Sequence, residues 1–297
     1  MSDGEHDQRT KGGHLAPFVA PAWEIGERVL TPSGHPLVMG IVNLTPDSFY
    51  PDSRADSLAS AVDKALAMVA AGADILDLGA SSSRPGADTV GAQQEADRLL
   101  PVLTALTAAT ATPLSIDTFH AEVARQALDI TSCVINDITG GGDRDMFDLV
   151  AQQKCGMVLM HMQGEPATMQ DDPLYADPVA EIAAWLESRA QQAEKSGIHP
   201  ERILVDPGLG FGKNLVHNLA LLQQLPEATA HRPHLLGASR KGFIGEISGA
   251  KITDRLPGSL AALTSAWHAG TSVVRVHDVA ETVQFFQVMR TIATAAI

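Results

Sequence analysis

The sequence predicts an α/β protein built as a single (β/α)8 barrel, also called a TIM barrel. Eight short apolar segments alternate with longer amphipathic or alanine-rich segments, and the apolar segments begin on average about 34 residues apart. The chain has 297 residues, and a barrel of this kind usually has about 250. A polar side chain also ends each apolar segment, where such barrels place their chemistry.

The part of the chain before the barrel is predicted in two pieces. Residues 1–22 are polar and then contain Pro17 and Pro21, so we expect a flexible tail. The segment WEIGERVLTPSGHPLVMG places Pro-Ser-Gly between two apolar runs, which predicts a short hairpin that leads into the first barrel strand. No low-complexity linker follows, so residues 23–297 are predicted to form one domain.

The barrel strands are predicted from continuous apolar, β-branched runs, as expected when both faces of a parallel sheet are covered. In chain order they are PLVMGIVNL, ADILDLG, PLSIDT, CVINDIT, GMVLMHM, RILVDPG, HLLGAS and SVVRVHD. A doubly wound open sheet shows the same alternation. Eight regular units favour the barrel, and so does the lack of a dinucleotide-binding fingerprint after the first strand.

The helices are predicted from the amphipathic and alanine-rich runs between the strands. Gly72, Gly197 and Gly270 follow three of these runs, and glycine is the usual residue just past a helix C-terminus. The seventh unit is long, and FIGEISGAKI predicts an extra short helix before its main one. The main helices are predicted to begin near Ser57, Gly91, His120, Arg144, Pro178, Asn214, Leu256 and Ala280.

Composition excludes several classes of function. The formal net charge is −14, and a chain this acidic is a poor candidate for nucleic-acid binding, which needs a basic face. No run reaches the roughly 18 apolar residues that span a bilayer, and the first residues are too polar for a signal peptide. Cys133 and Cys155 lie in apolar runs and are expected to be buried, reduced thiols. We therefore expect a cytoplasmic protein without a nucleic-acid or membrane partner.

Polar side chains at the ends of the predicted strands are the strongest functional signal. Asp in the apolar runs ILDLG and LSIDT would cost several kcal/mol if buried without partners, so turn chemistry does not explain it. In a parallel barrel, all strand ends converge on one mouth. In order, these side chains are Asn43, Asp77, Asp117, Asn136 with Asp137, His161, Asp206, Ser239 with Arg240 and Lys241, and Arg275 with His277.

The charges divide this mouth into two halves. Asp77, Asp117, Asn136 and Asp206 are mostly acceptors, which suits a planar ligand rich in N–H donors. The last two strands end in a cationic group that suits phosphate or carboxylate oxygens and consists of Arg240, Lys241, Arg275 and His277. A donor-rich heterocycle with a phosphate arm would fit both halves.

Four further segments between the predicted elements stand out in the sequence. TPDSFYPDSRADS and ASSSRPGADTV, after the first and second strands, are long and each contains one arginine, Arg54 and Arg84, which is typical of mobile lids. DPGLGFGKN follows the sixth strand, but Lys213 precedes Asn214 rather than Ser or Thr, so it is not predicted to be a phosphate-binding loop. Residues 140–142 are three glycines that predict a plain turn.

The motifs as a set resemble those of the dihydropteroate synthases. MGIVNLTPDSF, DLGASSSRPGA, SIDT, VINDI, MHMQGEPATMQ, DPGLGFGK, GASRKGFIG and VRVHDV occur in the order typical of that family, from about Leu37 to the end of the chain. The resemblance implies a (β/α)8 barrel, usually a homodimer. It implies condensation of 6-hydroxymethyl-7,8-dihydropterin diphosphate with 4-aminobenzoate, release of diphosphate, and use of Mg2+.

The resemblance also implies roles for individual residues. Asp117, Arg275, His277 and Lys241 are the implied catalytic residues. Positions of the pterin pocket are matched by Asp117, Asn136, Met160, Asp206, Phe211 and Lys241. Asn43, Arg275 and His277 match positions of the diphosphate site. Asn43 is also the implied Mg2+ ligand. Positions around the aminobenzoate site are matched by Ser83, Arg84, Pro85, Ser239 and Lys241. Asp77 and Arg240 are further residues expected at the barrel mouth.

Two loops depart from the family pattern, both on the aminobenzoate side. Ser48-Phe49 is followed by Tyr50-Pro51-Asp52, where the family usually has Ser-Asp-Gly-Gly, and residues 80–84 read Ala-Ser-Ser-Ser-Arg instead of Gly-Glu-Ser-Thr-Arg. These changes predict a site that binds aminobenzoate differently, discriminates against sulfonamides or takes another amine. They also leave two alternatives open: a non-catalytic pterin-binding paralogue and, more distantly, a methyltetrahydrofolate methyltransferase.

Overall fold

The computed structural model describes residues 15–44, 54–81 and 90–295, with the backbone alone for residues 54–56. Eight parallel strands form one sheet in the order β8-β7-β6-β5-β4-β3-β10-β9, and a parallel bridge between Val205 and His234 closes β8 onto β9. The predicted (β/α)8 barrel is therefore confirmed. Its strands are β3 (Leu37–Asn43), β4 (Ile75–Gly79), β5 (Leu114–Asp117), β6 (Val134–Asp137), β7 (Met157–Met160), β8 (Ile203–Asp206), β9 (Leu235–Leu236) and β10 (Val273–Val276).

The helices alternate with these strands as predicted, and each main helix begins within three residues of its predicted start. The extra helix of the seventh unit is present as α8, whereas the short helix α7 after the sixth strand was not predicted. The helices are α1 (Arg54–Ala70), α2 (Ala92–Ala109), α3 (Ala121–Ile130), α4 (Met146–Gln153), α5 (Pro178–Lys195), α6 (Leu215–Gln223), α7 (Leu225–Ala228), α8 (Gly242–Ser248), α9 (Leu256–Ala269) and α10 (Val279–Thr294). None of those described is long and apolar enough to span a bilayer.

A hairpin closes the amino-terminal end of the barrel. Its strands β1 (Trp23–Ile25) and β2 (Arg28–Leu30) pair antiparallel, and they turn at Gly26, which has a φ of +60°. The hairpin was predicted, but its turn was expected at Pro-Ser-Gly. Gly26 provides the turn because glycine adopts a positive φ without steric cost. Trp23 is fully buried beneath the barrel and donates from Nε1 to the Arg202 carbonyl at 3.0 Å.

Residues 15–22 pack against the barrel, so the prediction of a flexible tail is wrong for this segment. Phe18 is only 8% exposed, and its ring lies 5.3 Å from the ring of Trp267. Trp267 also donates from Nε1 to the Ala16 carbonyl at 3.2 Å. The buried aromatic ring anchors this segment, whereas the prediction relied on the polarity of the preceding residues and on Pro17 and Pro21. Residues 1–14 lie outside the described part of the chain.

The strand alternation separates an apolar lower layer from a polar mouth. Side chains that point into the barrel near the hairpin form one apolar cluster, which includes Met39, Ile75, Val134, Val158 and Val273. One pleat further along, five of the strands carry polar side chains at the inward position, namely Asp77, Asp117, Asn136, Asp206 and Arg275. The outward positions pack against the helices as the main core. Because side chains alternate along a strand, the same runs that build the core deliver polar groups to one end.

Candidate active site

A buried ion triad occupies the centre of the barrel mouth. The Arg275 guanidinium donates from Nε to Oδ2 of Asp77 at 2.5 Å, and from an Nη2 group to Oδ2 of Asp117 at 2.7 Å. Asn136 donates from Nδ2 to the same Asp77 oxygen at 3.2 Å. The side chains of Asp77, Asp117 and Arg275 are 0%, 15% and 21% exposed. The predicted acidic and basic halves of the mouth are thus joined here by direct contacts.

Strand register brings these residues together from distant parts of the sequence. Asp117 lies beside Gly79 on β4 and beside Asn136 on β6, and Asp206 lies beside Met160 on β7. Gly79 leaves room for this arrangement, because a Cβ there would lie 3.3 Å from Oδ2 of Asp117. The acidic side chains therefore form a band along the inner wall of the mouth.

The charges in the triad depend on one another. Burial raises the pKa of Asp117 to about 7, although the Arg275 charge opposes this rise. Burial also lowers the pKa of Arg275, but Asp77 and Asp117 outweigh burial and hold that pKa above its usual value. Arg275 is therefore always charged, whereas Asp117 gains or loses a proton near neutral pH.

Asp206 and Lys241 form the second charged group of the mouth. Asp206 accepts a hydrogen bond on Oδ1 from the Gly208 backbone N–H at 2.7 Å. Burial raises the pKa of Asp206, while that hydrogen bond and the charges of Lys241, Lys213 and Arg275 lower it. Burial lowers the pKa of Lys241 to about 8, and Asp206 opposes this. Asp206 ends β8 and Arg275 lies near the end of β10, so both charged groups stand at the carboxyl ends of strands in the same barrel.

The predicted apolar wall lies beside Asp206. Met160 and Phe211 belong to one buried cluster with Ile138 and Met169. The Lys241 ammonium stands over the Phe211 ring, 4.2 Å from its centroid. A cation against an aromatic face at this distance is stabilised by the ring quadrupole. A flat ligand entering here would meet an apolar surface on one side and carboxylates at its edge.

The cationic patch predicted from the last two strands is smaller than expected. His277 is neutral near pH 7, because burial and the charges of Arg275 and Arg240 lower its pKa to about 4. Its Nδ1 lies 3.0 Å from Oγ of Ser239. Arg240 stands at the mouth, but its guanidinium makes a bidentate ion pair with Asp278 at 2.9 and 2.5 Å. Lys241 and Arg275 are the members that keep a positive charge facing Asp206.

The remaining predicted site residues lie at or beyond the edge of the described segments. Asn43 is exposed at the end of β3, directly before residues 45–53. Its amide oxygen fits a role with Mg2+, which prefers oxygen ligands and commonly binds through one or two protein groups, water and substrate phosphates. Ser83, Arg84 and Pro85 lie outside the described residues, as does the first-loop segment 45–53.

The three glycines at 140–142 form a plain turn, as predicted. The fully buried Asp137 carboxylate accepts from the Thr139 and Gly141 backbone N–H groups at 2.7 and 3.0 Å. The side chain of Arg189 donates to the Gly140 and Gly141 carbonyls. This strand-end carboxylate is thus used for structure, and it does not face a ligand.

Sequence reasoning missed two buried ionisable residues near the mouth, Lys213 and Glu95. Lys213 is 2% exposed and Glu95 is 0% exposed. The motif GFGK offered a signal for Lys213, because the two glycines shortly before the lysine, Gly210 and Gly212, indicate a closely packed loop. Glu95 lies inside an amphipathic helix, where its burial depends on residues distant in sequence.

Glu95 is expected to make stability depend on pH. Burial raises its pKa to about 7, although the Thr118 hydroxyl opposes the rise. The pKa of Glu95 is thus higher in the folded protein than its ordinary value of 4.5. Glu95 therefore contributes its full stabilisation below about pH 4.5, and this contribution is lost as the pH rises through about 7. Glu95→Gln is expected to increase the free energy of unfolding at pH 8 by about 1–3 kcal/mol and to change it little at pH 4. Urea unfolding at both pH values measures this.

The matched control for that prediction is Glu246→Gln on α8, because Glu246 is exposed. It should leave the pH dependence as in the unmodified protein. An equal stability change at pH 4 and pH 8 for Glu95→Gln would show that its charge is not the cause.

The fold and the mouth together define a class: a (β/α)8 barrel enzyme whose site suits a flat, N–H-rich ring that carries an anionic arm. Comparison with known proteins gives the family. The profile of the pterin binding enzymes matches residues 39–277. The dihydropteroate synthase of Escherichia coli (strain K12) is 41% identical over 262 residues, which is 88% of this chain and 93% of that protein.

Solved structures agree with this comparison. The Xanthomonas albilineans dihydropteroate synthase with 4-aminobenzoic acid superposes with a TM-score of 0.85 and 41% identity, over 94% of this chain and 100% of that one. The same enzyme in complex with 7,8-dihydropteroate gives 0.82 and 38%, over 93% and 100%. The chain belongs to the pterin-binding enzyme family and, within it, to the dihydropteroate synthases, which are transferases of folate biosynthesis.

Proposed function

We propose that this protein condenses 6-hydroxymethyl-7,8-dihydropterin diphosphate with 4-aminobenzoate to give 7,8-dihydropteroate and diphosphate. The observation that carries this proposal is that Asp206 and the Arg275 triad lie at the carboxyl ends of strands in one barrel, which places acceptors for a ring and a cation for an anionic arm at one mouth. The relatives solved with 4-aminobenzoic acid and with 7,8-dihydropteroate support the choice of substrates.

The pterin ring would bind in the acidic half of the mouth. Asp206 would accept from the ring amino group and the adjacent N–H as a bidentate, charge-assisted pair. Lys241 would donate to the ring carbonyl oxygen and nitrogen, and Asn136 would hydrogen-bond the ring edge. Met160 and Phe211 would cover its face. The position of the Lys241 ammonium over the Phe211 ring and of Asp206 beside Met160 supports this, because both a donor and an acceptor then border the apolar wall.

The diphosphate arm would bind to Arg275, His277 and Asn43, which lie at the carboxyl ends of the neighbouring strands β10 and β3. Since His277 is neutral, it would contribute one N–H donor, and Arg275 would supply the positive charge. Asn43 would hold Mg2+. When bound, this ion would add positive charge next to the leaving diphosphate and so stabilise the charge that develops there.

The reaction would be a substitution at the methylene carbon next to the ring. The bond from carbon to the diphosphate oxygen breaks, the aminobenzoate nitrogen forms a new bond to that carbon, and the nitrogen loses a proton. The electron-rich dihydropterin shares the positive charge that develops at the carbon. Asp117 would stabilise this charge, while Arg275 would stabilise the departing oxygen. The amine is already nucleophilic, so no strong general base is required.

Aminobenzoate would bind on the side of the two loops whose sequences differ from the family pattern. Ser83, Arg84, Pro85, Ser239 and Lys241 are the proposed contacts. Arg84→Ala is expected to raise the KM for aminobenzoate at least about tenfold, because an arginine–carboxylate bond contributes about 1.5–3 kcal/mol. Pterin affinity should stay near its original value. Steady-state kinetics and pterin titration check the two halves separately, and an equal loss in both would contradict this division of the site.

A coupled assay of diphosphate release tests the whole proposal. With Mg2+ and both substrates, purified protein should form dihydropteroate, and omission of either substrate should abolish diphosphate release. Pterin binding without turnover would instead favour a non-catalytic paralogue. The altered sequence of residues 45–54 and 80–86 motivates repeating the assay with a sulfonamide, because these departures lie on the aminobenzoate side.

A homodimer and a cytoplasmic location are also proposed. Exposed apolar side chains lie on the neighbouring helices α6 and α8, where Val216 is 71% exposed and Ile247 is 59% exposed. Such side chains support an interface with a second copy. Cys133 and Cys155 are buried free thiols, which is consistent with a reducing compartment.

A further inference from the structure

Lys213 is a buried cation that the proposed reaction does not use. It is 2% exposed and lies between β8 and α6, two residues after Phe211 in the pterin wall. Burial of an ammonium group is costly unless it has hydrogen-bond partners and a nearby negative charge. Lys213 therefore requires a structural or functional explanation.

The Lys213 ammonium has three acceptors within hydrogen-bond distance, one for each of its N–H groups. Its Nζ lies 2.8 Å from the Phe211 carbonyl, 3.0 Å from Nδ1 of His161 and 3.4 Å from the His161 carbonyl. Burial and the Lys213 charge lower the pKa of His161 to about 3, so its imidazole is neutral and can accept. The ammonium thereby joins the loop after β7, through His161, to the loop after β8, through Phe211.

The same two loops pack closely along their length. Gly208 and Gly212 have φ values of +67° and +63°. A Cβ on Gly208 would overlap the His161 carbonyl, and a Cβ on Gly212 would overlap the Gln163 carbonyl. The Tyr175 hydroxyl donates to the Gly212 carbonyl at 3.0 Å. This second bond joins the loops without placing any charge near Asp206.

The charge of Lys213 also acts on the pterin acceptor. Lys213 is one of three cations that lower the pKa of Asp206, together with Lys241 and Arg275. Burial lowers the pKa of Lys213 itself to about 7, which Asp206 opposes and Lys241 reinforces. Within the described part of the chain, the Lys213 charge also lowers the pKa of His161 and of His217.

We propose that Lys213 is a positioning residue for the pterin ring: its buried ammonium fixes the Phe211 wall against the His161 loop and places a positive charge in the loop that follows Asp206. The inference rests on the proposed function, because it takes the ring to bind at Asp206. A bidentate pair with ring N–H donors requires an ionised carboxylate. Without the Lys213 cation, Asp206 therefore becomes protonated at a higher pH. Binding of the pterin ring should then weaken at a higher pH as well.

The test is calorimetric titration of 6-hydroxymethylpterin, which lacks the diphosphate, into Lys213→Met, Lys213→Gln and the unmodified protein between about pH 5 and pH 8. Both variants should bind at least about tenfold more weakly near pH 6. Their affinity should fall at a higher pH than that of the unmodified protein. Lys213→Gln keeps two N–H donors, so it decides the question where Lys213→Met does not fold.

Tyr175→Phe is the matched control, because it removes a bond between the same loops and leaves every charge in place. It should weaken pterin binding by the same factor at every pH. The proposal would be overturned if pterin affinity depended on pH in the Lys213 variants as it does in the unmodified protein. It would also be overturned if the Lys213 variants, like Tyr175→Phe, lost affinity by the same factor at every pH. Failure of the unmodified protein to bind the pterin would instead refute the proposed function, so the two failures are distinguishable.

Discussion

Replacing Arg275 with methionine is expected to lower the free energy of unfolding by about 3–5 kcal/mol, because it leaves two buried carboxylates without their cation. Asp77 is fully buried, Asp117 is 15% exposed, and Arg275 contacts both. Methionine keeps much of the side-chain volume, so most of the loss is electrostatic. Urea unfolding at pH 8 measures it, since higher pH favours the ionised carboxylates.

A second substitution tests the electrostatic cause. In Asp77→Asn/Arg275→Met, one of the two uncompensated charges is gone, so part of the stability should return. Arg125→Met on the exposed face of α3 is the control and should change stability little. An Arg275→Met protein as stable as the original would contradict the buried triad. The single variant should also lose dihydropteroate formation, because the charge proposed to stabilise the departing diphosphate is absent.

Asp206→Asn is expected to weaken binding of the pterin ring by roughly 2–5 kcal/mol, the range for truncated or unpaired buried charge pairs. Asparagine keeps an oxygen for the Gly208 N–H, which donates to Oδ1 at 2.7 Å, so the loop should hold its shape. Its amide group, however, would face the ring donors with a donor of its own. The lost bidentate pair cannot be replaced by solvent in this buried site.

Calorimetric titration of 6-hydroxymethylpterin measures this loss, and thermal unfolding verifies that the variant folds. The control is Asp145→Asn, a site with a 61% exposed side chain at the start of α4, which should bind as the original does. Full affinity in Asp206→Asn would show that the ring binds elsewhere. The strand-end interpretation of the barrel mouth would then be wrong.

The sequence alone predicted the barrel because the signal is repeated eight times. Each apolar run and each helix depends mainly on local periodicity, and an error in one unit does not change the others. The N-terminal segment is a contrast. Residues 15–22 form a short segment without hydrophobic periodicity, so the packing of Phe18 on Trp267 could not be predicted from that segment.

The polar mouth was predicted for a related reason. Asp77, Asp117, Asn136, Asp206 and Arg275 each stand within or directly after an apolar run, and parallel strands must end on the same side. Local position therefore predicted that they converge. Local position did not predict which of these side chains contact one another. Only the tertiary structure shows that Arg275 contacts two carboxylates and that Arg240 contacts Asp278.

The sequence by itself determined the fold, the face that carries the chemistry and, through its motifs, the family. Tertiary structure decided the charges: His277 is neutral, Asp117 titrates near pH 7, and Lys213 is buried against His161. The physical reason is that a side chain's protonation state depends on burial and on charges within a few ångströms. Those neighbours come from strands and loops far apart in the chain.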